Sequence, residues 1–168
     1  MAQVIVIDVG SARHPARQVS QTQKDPEHFS IERLVDRFHP DLLYAFDPHP
    51  GVHDREWALN GTQVVERRQA AWLHDGTVQF DEDGAYSRIG SGAAEVFCFR
   101  LSDFICALPD AEIVLKLDCE SAEYELLEDL VATGAAGHLS KVLVEWHGER
   151  ERDALAASFG DRLEEWSH

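Results

Sequence analysis

Short apolar runs that stop abruptly at polar residues constrain this chain most: Val4 to Val9, Leu42 to Phe46, Ile113 to Leu117 and Val142 to Trp146. None alternates strictly between apolar and polar, so each is expected to be buried on both faces, as strands of a parallel sheet are. Such a sheet needs helices on its faces, and helical patterns separate the runs. After an Asp25-Pro26 start, Ile31, Leu34, Val35 and Phe38 share one helical face, closed by Pro40. Ala122, Leu126, Leu127, Leu130 and Val131 form the inner face of a second helix, which Gly134 ends. Glu149 to Phe159 reads as a third, with Gly160 as its stop. The pattern predicts a single α/β domain over residues 1–168, built as three α/β/α layers around a mostly parallel sheet.

The middle of the chain is more broken. Thr62 to Arg67 reads as a strand and Asp54 to Leu59 as a short helix. Asp75-Gly76 is a hairpin turn signal between Ala70–His74 and Thr77–Phe80. Residues 81–94 read as a loop, and Val96 to Leu101 as a strand. Ser102 is placed to cap a short helix through Leu108.

Charge excludes one class of partner. The 168 residues carry a formal net charge of -16, which repels a phosphate backbone, so nucleic acid is not expected. No apolar segment is long enough to span a bilayer, so no membrane partner is expected. Met1-Ala2-Gln3 runs straight into a strand-like segment without signal-peptide character, which predicts a cytoplasmic protein. The odd count of cysteines argues against a disulfide framework. Cys98 and Cys106 are expected as buried small apolar side chains.

Four strand ends carry the polar residues of interest: Asp8-Val9-Gly10, Asp47, Asp118-Cys119-Glu120 and Glu145-Trp146-His147. In a doubly wound sheet all four lie along one edge, where ligands bind. Gly10 permits close backbone approach to a ligand. Asp47 is suited to accept hydrogen bonds from ribose hydroxyls. Lys116 and Asp118 share a strand face. Glu123, in the first turn of the following helix, also reads as a charge favoured by the helix dipole. His147 is a candidate general base, ligand-orienting donor or metal ligand.

Taken together, these stretches resemble the FkbM-type methyltransferases, a branch of the S-adenosylmethionine-dependent class I fold. The resemblance rests on residues 7–12, 44–50, 75–78, 100–104, 115–127 and 142–147, in the family's order, with the Lys116-to-Glu123 block the most specific. It implies a Rossmann-like class I methyltransferase fold, shortened at its C-terminal end because little chain follows Trp146. It further implies that Asp8, Gly10, Ser11 and Ala12 line the methionine side of S-adenosylmethionine. Asp47 would hold the ribose, with Pro48 and His49 beside it and Ala71 and Trp72 near the adenine. Asp118 and Glu120 would face the methyl donor and acceptor, with His147, Asp118 or Glu120 as base. The implied reaction is O-methylation of a small molecule or sugar. The family's usual asparagine and second glycine are missing from Gly10-Ser11-Ala12-Arg13-His14, and its glutamate–glycine pair is Glu120-Ser121 here.

Arg13, His14, Arg17 and Lys24 cluster in an otherwise acidic chain and are expected to form a lid over an anionic group. Arg13 and His14, with Lys116 and Glu145, are candidate substrate contacts. Two other readings use the same residues. One is a non-catalytic relative that binds an adenosyl ligand or a protein. The other is a metal-assisted hydrolase built on Asp118, Glu120, Glu145 and His147.

Overall fold

A computed structural model describes residues 2–11, 30–81, 88–90, 92–148 and 152–167. In chain order its main elements are β1 (Val4–Val9), α1 (Ser30–Phe38), β2 (Leu42–Phe46), β3 (Arg55–Leu59), β4 (Thr62–Arg67), β5 (Ala70–Trp72), β6 (Gly76–Asp81), β7 (Arg88–Ile89), β8 (Ala94–Arg100), α2 (Leu101–Ala107), β9 (Glu112–Leu117), α3 (Glu123–Thr133), β10 (Leu139–Val144), α4 (Arg152–Phe159) and β11 (Leu163–Glu165). The fold is mixed α/β with mostly parallel pairing in its larger sheet. Seven strands run in the order β11-β10-β9-β1-β2-β4-β3, and a smaller sheet runs β5-β8-β6-β7. In the larger sheet only the β3–β4 pair is antiparallel.

The double-sided burial expected of the apolar runs is present. Val6, Leu43, Ala45, Val114 and Leu143 pack with Ile31, Leu34 and Val35 of α1. The intervening residues Ile7, Val9, Leu115, Leu117, Val142 and Val144 pack with Leu101 and Ile105 of α2 and with Leu126, Leu127 and Leu130 of α3. The period of two along each strand sends alternate side chains to opposite cores. Gly134 ends α3 in the left-handed conformation, at φ 82°, as glycine does most easily.

Several expectations are corrected. Residues 55–59 are a strand, not a helix. Asn60 and Gly61 have φ of 49° and 92°, the two positive values a type I′ hairpin turn requires, and they join β3 to β4. Trp57 and Leu59 then share one face and pack against the α1-side core. Asp75-Gly76 does not close a hairpin, because β8 lies between β5 and β6, parallel to one and antiparallel to the other. Asp75 instead accepts a hydrogen bond from the Arg100 backbone N–H at 2.8 Å. Within 81–94, Arg88–Ile89 pairs with β6.

Ser102 lies inside α2 and donates to Asp129 of α3 rather than capping its own helix. Val131 is 41% exposed and does not belong to the inner face of α3. Cys98 is buried, but Cys106 is exposed. At the C-terminal end, β11 follows α4 and pairs parallel with β10. The Asp25-Pro26 start lies outside the described residues. Among the described residues no helix is long and apolar enough to cross a membrane.

Candidate functional site

Along the larger sheet the chain order reverses between β1 and β9, which lie side by side although most of the chain separates them. Their register puts Asp8 directly beside Lys116. Both side chains are fully buried. The Lys116 ammonium lies 3.0 Å from Asp8 Oδ1 and 3.2 Å from Asp118 Oδ2. It also donates to the Gly10 carbonyl at 2.9 Å. The two carboxylates flank the ammonium as ion pairs. Lys116 thus ties together the ends of β1 and β9. Burial works against its charge, but Asp8 and Asp118 outweigh burial and hold its pKa above the ordinary value. The second carboxylate oxygen of Asp8 accepts from Ser30 at the start of α1, a partner that no sequence motif marks.

Gly10 has φ 81°, and a Cβ there would meet the Asp118 carbonyl oxygen at 1.7 Å. Only glycine allows the turn after β1 to pass so close to the turn after β9. Ser11 follows, 5% exposed, and its hydroxyl has no hydrogen-bond partner among the described residues. A buried hydroxyl left this way fits the polar end of a ligand seated after Gly10. Ala12, Arg13, His14, Arg17 and Lys24 lie outside the described residues.

The second group of charges centres on His147. Glu123 is fully buried, and its Oε1 accepts the His147 backbone N–H at 2.7 Å. The same oxygen lies 3.4 Å from Nδ1 of the imidazole. Nε2 faces Asp118, Glu120 and Glu145 at 3.8, 3.7 and 3.8 Å. Contact with Glu123, and beyond it the charges of Glu120 and Asp118, push the His147 pKa up to about 9 against the pull of burial. At neutral pH His147 is therefore an imidazolium, which has no lone pair to accept a proton. Burial raises the pKa of Glu120; His147 opposes the rise, while Asp118, Glu123 and Glu145 add to it. Glu123 belongs to the site, although its sequence position reads equally well as a helix-start charge.

Glu120 and Ser121 both have positive φ, 51° and 80°. The backbone at 121 is in the left-handed region that favours glycine. Asp47, at the end of β2, is 7% exposed. Its Oδ1 accepts the His49 backbone N–H at 2.8 Å, which folds Pro48 and His49 back over it. Ala71 is buried in the core with Phe46 and Leu101, and Trp72 packs against that core. A separate cavity of about 400 Å³ is lined by Tyr44, Phe46, Phe99 and Phe104 with Arg67 and Arg100. Asp8, Asp118 and His147 do not line it.

The edge thus brings together Asp8, Gly10, Lys116, Asp118, Glu120, Glu145 and His147, five carboxylates including Glu123 against two cations. Compared with protein-family models, with curated proteins and with solved structures, the chain matches none of them.

Proposed function

We propose that the protein is an S-adenosylmethionine-dependent methyltransferase acting on a hydroxyl of a small molecule or sugar. The single observation that carries this reading is the convergence of Asp8, Gly10 and Asp118 where the strand order reverses, with the unpartnered Ser11 hydroxyl beside them. Numbered among themselves, the six parallel strands of the large sheet follow the order 3-2-1-4-5-6 of doubly wound nucleotide-binding folds. That order supports a Rossmann-like, three-layer class I arrangement, and ligands of such folds sit at the reversal point.

S-adenosylmethionine would supply the methyl group on a cationic sulfonium, which an edge with excess carboxylate attracts. The turn at Gly10 and Ser11 would hold its methionine end, and Asp47 its ribose. The aromatic cavity under Phe46, one residue before Asp47, suits the adenine ring. The acceptor oxygen forms a bond to the methyl carbon as the carbon–sulfur bond breaks, and the hydroxyl proton passes to a carboxylate. Glu120 is the best-suited base, because a raised carboxylate pKa matches proton transfer near neutrality more closely. His147, as a cation, offsets the surrounding carboxylates and orients Asp118 and Glu120.

Titration calorimetry with S-adenosylmethionine and S-adenosylhomocysteine tests the reading. Saturable binding that weakens in Asp47→Ala is expected. No heat at millimolar ligand overturns it, and unchanged affinity in Asp47→Ala removes the ribose assignment.

A further inference from the structure

The geometry points to a divalent cation site formed by His147 Nε2 with Asp118 and Glu145. It lies in the proposed methyl-transfer site, and only the use made of the cation rests on that reading. Nε2, a carboxylate oxygen of Asp118 and one of Glu145 all lie within 4.8 Å of one another. Glu120 Oε1 is a further 3.7 Å neighbour of Nε2. These separations exceed hydrogen-bond length. The separations from Nε2, 3.7 to 3.8 Å, suit atoms that share an ion, since two ligand atoms about 2.0–2.2 Å from one metal lie at most about 4.4 Å apart.

The other side of the imidazole supplies an independent observation. Metal-binding histidines usually turn their second ring nitrogen toward an outer carboxylate, which fixes the tautomer and the ring plane. Nδ1 of His147 faces Glu123 Oε1, and that side chain is fully buried in α3. The same oxygen takes the His147 backbone N–H at 2.7 Å, so the backbone that carries the ring is fixed by that group. Nε2 lies beside three carboxylates, which come from the end of β9 and the end of β10, and an ion bound there takes the place of the Nε2 proton. One nitrogen with several carboxylate oxygens suits Mn²⁺ or Zn²⁺.

In the methyl-transfer site the cation would bind the acceptor oxygen and favour its deprotonated form. Acceptors offering two adjacent oxygens, such as a vicinal diol, would chelate it.

The test uses the full chain and the metal alone. Electron paramagnetic resonance of added Mn²⁺, with Zn²⁺ as competitor, is expected to show one saturable site per chain. His147→Gln and Glu145→Gln should each lower the affinity by about tenfold or more, with circular dichroism confirming that both remain folded. Asp118→Asn is avoided because Asp118 also holds the buried Lys116. A control change at exposed Glu112→Gln should leave binding unaltered. Weak, unsaturable binding, or binding equal in the wild type and both variants, overturns the site and marks the ion as a general counterion of an acidic protein. Saturable Mn²⁺ binding without any S-adenosylmethionine binding retains the site and removes the methyltransferase reading. The reverse pattern removes the site alone.

Discussion

Two sets of ion pairs in this protein use similar residues in opposite settings. At the reversal of the sheet, Lys116 is enclosed by Asp8 and Asp118, with both Lys116 and Asp8 side chains at 0% exposure. At the far edge, Glu164 of β11 bridges Arg37 and Lys141 at 2.8 and 2.9 Å, with all three side chains roughly a third exposed. Water can replace the second set at little cost. It cannot reach the first, so each buried charge depends on its partners. A fold keeps such charges inside where they hold something else in place. Here the ammonium ties three strand-end groups, Asp8, Asp118 and the Gly10 carbonyl, into one arrangement.

The contrast is sharpest for Lys116→Met. Removing the cation leaves buried carboxylates unpaired, and urea denaturation should show a loss of about 3–5 kcal/mol. A loss below about 1 kcal/mol would mean that the two regions do not differ in kind.

His147 is intermediate in exposure, and its effect should depend on pH. Its folded-state pKa of about 9 stands above the ordinary 6.5. The stability it contributes is therefore complete below pH 6.5 and lost as pH rises through about 9. The stability gap between wild type and His147→Gln, measured with chelator present, should shrink across that window. Its size should be about 1–2 kcal/mol once solvent screening is allowed for. A gap independent of pH would show that the carboxylates do not act on the ring.

The smallest effect is expected for Glu164→Gln. Hydrogen bonds from Lys141 and Arg37 lower the Glu164 pKa. Its contribution is thus present above the usual carboxylate range and fades as pH falls. A cost under about 1 kcal/mol, reduced further in 0.5 M salt, is expected in thermal denaturation. A cost comparable to that of Lys116→Met would erase the distinction between the regions.

Much of the sheet was legible because burial on both faces leaves nearly continuous apolar runs, as in Val4–Val9 and Ile113–Leu117, broken only by Asp8 and Lys116. The β3–β4 hairpin was legible too: Asn60-Gly61 is the strongest short-range signal for one. The helical reading of residues 54–59 passed over it. The smaller sheet was not legible. Asp75-Gly76 signals a local turn, but no local signal says that β8 will lie between the strands on either side. In the site, Asp118, Glu120, Glu145 and His147 stood out as polar residues at the ends of apolar runs. Ser30 and Glu123 did not, because each reads locally as an ordinary helix-start residue.

The sequence by itself determined the inner strands β1, β2, β9 and β10 of the larger sheet, since the hydrophobic period is a local property of the chain. It also determined that the acidic residues sit at the ends of those strands. Only the tertiary structure decided that Asp8 lies beside Lys116 across more than a hundred residues of chain. It alone decided that Glu123 is buried against His147 and that the surrounding carboxylates raise the pKa of the imidazole. Strand order and burial set the local dielectric and the charge partners, and neither is encoded within any short window of sequence.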